Sequence, residues 1–117
     1  MTRIGFVDLD TSHPEVFVEC ARHIPECEIS AIYDSKDVHE EGYAKELAAK
    51  HGIPNVARSL DEMCNYVDGV MVLGVDWDRH FGRAQPFIEA GIPVFIDKPI
   101  VGKLSDAYDI QQLAARH

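Results

Sequence analysis

The chain has 117 residues and a formal charge of −9, from 11 Lys+Arg against 20 Asp+Glu. That length fits one domain and is too short for a complete two-domain enzyme, while 46% hydrophobic content supports a real core and excludes a disordered chain. The acidic balance argues against nucleic acid or an anionic membrane surface as a partner, and no run approaches the roughly 18 apolar residues of a membrane span.

The start, MTRIGFVDLD, lacks a secretory signal pattern. Cys20, Cys27 and Cys64 are odd in number and form no CxxC. They read as buried or free thiols in a reducing, cytoplasmic setting.

Ile4–Leu9 reads as a buried strand. Ser12-His13-Pro14-Glu15 then reads as a capping box opening a helix, with Val16, Phe17, Cys20, Ala21 and Ile24 at helical spacing. Pro25 helps end it, and Glu28–Tyr33 is the second strand. Asp37 with Glu40 is expected to cap a second helix whose apolar face is Tyr43, Ala44, Leu47 and Ala48, closed by Gly52. Residues 55–57 suggest a short third strand, and Ser59–Glu62 forms another capping box. Gly69–Val75 lacks alternation, as a strand covered on both faces should. Arg79–Ala90 is expected helical, Pro93–Asp97 a fifth strand, and Ser105 the opening of a last helix. His23, His39 and His51 are expected at the surface, and Met63, Cys64, Phe81 and Phe87 in the core.

Strands and helices alternate throughout, which implies a doubly wound parallel sheet in one α/β domain, with strand order 3-2-1-4-5. Ligands in such sheets bind beyond the carboxyl ends of the strands, where strands 1 and 4 diverge. Polar residues gather there: Asp8, Asp10, Thr11, Ser12 and His13, then Asp34, then Asp76, Trp77, Asp78 and His80, then Asp97 and Lys98. Asp34 ends strand 2, 26 residues after Asp8. A carboxylate there accepts both ribose hydroxyls of an adenosine, or simply makes an Asx turn. The glycines of G-x-G-x-x-G would fall at 8, 10 and 13, where this chain has Asp8, Asp10 and His13. Two carboxylates would repel a pyrophosphate, while the helix N-terminus and the Thr11 and Ser12 hydroxyls would attract it.

The chain resembles the amino-terminal domain of the glucose–fructose oxidoreductase / inositol dehydrogenase / MocA (Gfo/Idh/MocA) family. The resemblance rests on the IGFVDLDTSH start, Asp34, and DGVMVLGVDWDRHFGRAQPFIEAGIPVFIDKPIVGKLSDAYDI. His80 falls on the family's loop histidine, Ala90-Gly91 on its helix end, and Asp97-Lys98-Pro99 on its Glu-Lys-Pro. The resemblance implies a Rossmann-like domain over residues 1–117 that binds NAD or NADP, and Asp34, which would repel a 2′-phosphate, makes NAD the expected cofactor and NADP less favoured. Leu9, Asp10, Thr11, Ser12, His13, Asp34, Asp76, Trp77, His80, Asp97 and Lys98 would contact the dinucleotide. Lys98 would be catalytic, acting on a sugar, polyol or related hydroxy compound, and no metal is implied. The resemblance also leads to the expectation that the family's substrate domain, and with it the usual oligomer interface, is absent from this chain.

Two other classes compete. Asp8-x-Asp10-x-x-His13 and Asp76-x-Asp78-x-His80 could gather a divalent cation, and DLDTS is superficially similar to the nucleophile motif of haloacid-dehalogenase-type phosphotransferases, which would make Asp8 and Asp10 a metal-dependent phosphotransfer site. Alternatively, the lost glycines mark a non-catalytic binding or regulatory domain.

Overall fold

The computed structural model describes residues 1–117. In chain order it comprises β1 (Thr2–Val7), α1 (His13–Ala21), β2 (Cys27–Tyr33), α2 (Tyr43–His51), β3 (Asn55–Val56) and α3 (Leu60–Met63). Then follow β4 (Gly69–Val72), a one-turn 3₁₀ helix (Trp77–Arg79), α4 (His80–Glu89), β5 (Val94–Ile96) and α5 (Leu104–Arg116). The sheet is five-stranded, ordered β3-β2-β1-β4-β5, and every pair is parallel.

The central strands are apolar on both faces, so the sheet feeds two cores. Val7, Ala31, Val70 and Val72 pack with Met63, Ala84 and Phe87 under α3 and α4. Phe6 and Ile32 pack with Val18, Leu47, Ala48 and Ile53 under α1 and α2. Beyond this second core, Phe17, Cys20 and Ile24 of the α1 segment face Ile4, Met71 and Val94 across an open apolar groove of about 460 Å³. No helix is long and apolar enough to cross a membrane.

Several local expectations are corrected. β1 stops at Val7 because Asp8 adopts a left-handed backbone, φ 70°, and β4 stops at Val72, before the close-packed turn at Gly74. Asp37 does not cap α2, which opens six residues later behind Gly42 at φ 96°. Ser12 makes no side-chain cap; Thr11 Oγ1 accepts the His13 N–H at 3.1 Å instead. Glu15 turns away from the α1 terminus to bind Lys50 at 3.0 Å and His51 at 2.9 Å. His51 is therefore not a surface side chain: only 8% of it is exposed. Phe81 is half-buried rather than core, while Cys64, also half-buried, packs against the first core. The box at Ser59 does form, its hydroxyl accepting the Glu62 N–H at 3.0 Å.

Candidate functional site

Sheet register brings the strand-end loops together. Val7 stands opposite Tyr33 on one side and Val72 on the other, and Val72 opposite Ile96. The residues that follow those strands therefore share one crest.

At the end of β1, Asp8 is fully buried. Its Oδ1 accepts the Ser35 N–H at 2.8 Å, and its Oδ2 pairs with Arg83 Nη1 at 2.6 Å. Aspartate tolerates the left-handed conformation better than most residues, which lets it occupy a glycine position. Asp10 Oδ2 accepts the Val75 N–H at 2.9 Å, while its Oδ1 is buried without a partner. Arg83 Nη2 reaches on to Asp37 Oδ2 at 2.6 Å. One guanidinium thus ties the loops after β1 and β2 to α4.

Burial pushes the Asp8 carboxyl up, against the pull of Ser35 and Arg83. Burial also raises Asp10, helped by the charges of Asp34 and Asp37 and opposed by the Val75 N–H and Arg83. For Arg83, burial works downward, but the bond to Asp37 and the charges of Asp8, Asp37 and Asp10 outweigh it and raise its pKa.

At the tip of β2, Asp34 Oδ1 accepts the Lys36 N–H at 3.3 Å, an Asx-type turn at a left-handed Lys36. Its Oδ2 is buried with no partner. Asp34, Ser35, Lys36, Glu40, Lys45 and Arg58 border a cavity of about 510 Å³.

The loops after β4 and β5 meet α1. His13 Nδ1 lies 2.5 Å from Asp97 Oδ2, and Asp97 Oδ1 accepts the Lys98 N–H at 2.8 Å. Lys98 is exposed and precedes a cis peptide bond to Pro99. Asp76 caps the 3₁₀ turn, accepting the Asp78 N–H at 3.1 Å and pairing with Arg79 at 3.2 Å. Trp77 is half-exposed and lies against Gly102.

Two expected ligand contacts sit elsewhere. The Leu9 side chain is in the core, leaving only its backbone for a ligand. His80 is buried, with Nε2 2.7 Å from the Gly74 carbonyl and Nδ1 3.0 and 3.1 Å from those of Pro99 and Ile100. It fastens the Pro99 loop to the β4 loop and keeps no nitrogen free for a ligand. The metal alternative loses its residues: Asp8 is held by Arg83, and no three His, Cys, Asp or Glu side chains could hold an ion.

Sequence reasoning missed Arg83 and the role of Asp37. The signal lay in α4: Arg83 falls among His80, Ala84 and Phe87 on the buried helix face. A charge there requires a partner.

The family model described as "Oxidoreductase family, NAD-binding Rossmann fold" matches residues 4–117. Among curated proteins, "Glycosyl hydrolase family 109 protein 5" of Phocaeicola vulgatus is 27% identical over 122 residues, covering 99% of this chain and 23% of that protein. A Gfo/Idh/MocA family oxidoreductase from Vibrio cholerae superposes with a TM-score of 0.82 at 21% identity, over 100% of this chain and 36% of that one. Biliverdin reductase from Synechocystis, solved with biliverdin and NADP⁺, superposes with a TM-score of 0.81 at 19% identity, over 98% of this chain and 35% of that one. The chain spans about a quarter of the curated relative and about a third of these structures. With nearly every residue inside the family match, this chain belongs to the Gfo/Idh/MocA oxidoreductases as their NAD-binding Rossmann domain.

Proposed function

We propose that this domain binds NAD in preference to NADP and serves an oxidoreductase acting on a sugar, polyol or related hydroxy compound. Asp34 carries the reading. Its Oδ2 is buried and unpartnered while Oδ1 is fixed by the Lys36 N–H. A ribose hydroxyl would supply the missing donor, whereas a 2′-phosphate would meet a carboxylate. Lys36, the nearby cation, is exposed and only 3.7 Å from Glu41, so it offers a 2′-phosphate little.

The residues present fit a dinucleotide across the crest. Asp34 would hold the adenosine ribose. Thr11, Ser12 and the α1 N-terminus would face the phosphates, and Trp77 would cover a ring. Bound NAD would supply hydride chemistry. Lys98 would hold or relay a proton at Nζ beside it, with Asp97 and His13 shaping that wall. The name of the Phocaeicola relative directs the substrate search to glycosides and sugars. The opposite wall of the cleft, and any oligomer contact, would come from a second domain, in a cytoplasmic setting. The domain alone should turn over no substrate, because hydride transfer needs both carbons held about 3–3.5 Å apart. In a protein that joins it to a substrate domain, Lys98→Ala should lower turnover by roughly 100-fold with little change in dinucleotide affinity.

Calorimetry with NAD and NADP at matched salt tests this. NAD should bind more tightly, and Asp34→Asn should narrow the difference. Tighter NADP binding would remove Asp34 from its role. The crowding of Asp8, Asp10 and Asp37 around Arg83, with Asp34 acting on Asp10, favours a second reading, a binding or regulatory domain without cofactor. Absence of binding by either dinucleotide at millimolar concentration would select it.

A further inference from the structure

We infer that Arg83 is a phosphate-binding residue of this crest, in addition to the α1 N-terminus, and that Asp37 is an intramolecular stand-in occupying the Nη2 donor a ligand phosphate takes. This rests on the crest being a nucleotide site.

Arg83 carries two carboxylates that are not equivalent. Asp8 has no exposed side-chain surface and is anchored a second time by the Ser35 N–H at 2.8 Å. The Asp37 side chain is 28% exposed, and its bond to Arg83 Nη2 is its one side-chain hydrogen bond. Losing Asp8 would strand a buried charge; releasing Asp37 would merely return a carboxylate to water. Asp37 is therefore the exchangeable partner. Asp37 takes a charged N–H donor at Nη2 while Asp8 keeps Nη1, and a phosphate oxygen accepts from such a donor as well as a carboxylate does.

Position supports the same assignment. A Cβ built on Gly74 would lie 3.2 Å from Arg83 Nη1, 2.9 Å from Asp8 Oδ2 and 3.4 Å from Asp10 Oδ2. The guanidinium thus stands between the ends of β1 and β4, where sheets of this topology take ligands. The loop there lacks the glycines whose backbone N–H groups would cradle a pyrophosphate, and Arg83 supplies a charged donor in the same neighbourhood. The ligand class is a phosphate ester or pyrophosphate, free or as part of a nucleotide.

Calorimetry at fixed ionic strength, with inorganic pyrophosphate, ADP and adenosine as probes, tests the exchange. The proteins are the parent chain, Asp37→Asn, Glu46→Gln and the double variant Arg83→Lys with Asp37→Asn. Asp37→Asn should tighten pyrophosphate and ADP about tenfold and leave adenosine unchanged. Glu46→Gln removes an exposed carboxylate from the neighbouring α2, outside the Asp34 cavity, and should change little. The double variant, provided its melting curve shows it folded, should lose the gain. No gain in Asp37→Asn overturns the inference, and so does an equal gain in Glu46→Gln, which would mean only a weaker general field. Adenosine binding with pyrophosphate indifferent to Asp37 defeats the exchange and leaves the nucleotide reading standing. A pyrophosphate gain in Asp37→Asn with no adenosine binding supports Arg83 and defeats the nucleotide reading.

Discussion

Arg83 Nη1 and Asp8 Oδ2 stand 2.6 Å apart across the crest, both side chains at least nine-tenths buried. The pair joins the second turn of α4 to the residue that ends β1 in a left-handed backbone. Removing one partner of such a pair leaves an uncompensated buried charge, which typically costs about 3–5 kcal/mol. Arg83→Met should therefore destabilise the chain by about that much in urea denaturation. Adding Asp8→Asn should recover at least about half, because asparagine also tolerates a positive φ and keeps an acceptor for the Ser35 N–H. A double variant as unstable as the single one would mean that packing, not charge, dominates at Arg83.

Asp10 gives a pH-dependent test with a defined sign. Its folded pKa is raised, first by burial and then by Asp34 and Asp37. The stability it contributes is therefore complete below its unfolded pKa and is lost as pH rises through the folded value. Asp10→Asn removes that loss and keeps an acceptor for the Val75 N–H. The variant should melt a few degrees above the parent at pH 7, and the difference should vanish as pH falls toward about 4. Melting curves across that range decide it, and an equal gain at both ends would contradict it.

Gly74 is required for space. A methyl group there would sit 2.9 Å from Asp8 Oδ2 and 3.2 Å from Arg83 Nη1. Gly74→Ala should cost about 1–3 kcal/mol as the ion pair shifts to make room. Urea denaturation measures the cost, and a neutral result would show that the pair can move freely.

Trp77 is the one tryptophan in the chain, and it is half-exposed on the crest. Its fluorescence should change on NAD titration and saturate with the affinity found by calorimetry. A calorimetric signal without any change at Trp77 would place the dinucleotide away from this loop.

The sheet was legible because Ile4–Val7, Ala31–Tyr33 and Gly69–Val72 are short runs without charge, separated by amphipathic stretches, and alternation of that kind admits few topologies. The strand-end positions of Asp34, Asp97 and Lys98 followed from the same reading. Asp37 and Glu15 were harder to place, since both stand where a cap is statistically favoured. Each instead bonds to a side chain remote in sequence, Asp37 to Arg83 and Glu15 to His51. Local pattern cannot express such a contact. His80 misled for a related reason: a polar ring at a loop end resembles a ligand contact until the carbonyls of Gly74, Pro99 and Ile100 are seen around it.

The bond between Asp10 and the Val75 amide has a consequence for how a ligand is received. Together with the grip of Asp8 on the Ser35 amide, it fixes two backbone segments that have no helix or strand to hold them. Two crest amides are thus already bonded before a ligand arrives, which lowers the ordering that association has to supply. Discrimination between ligands is thereby weighted toward charge and fit.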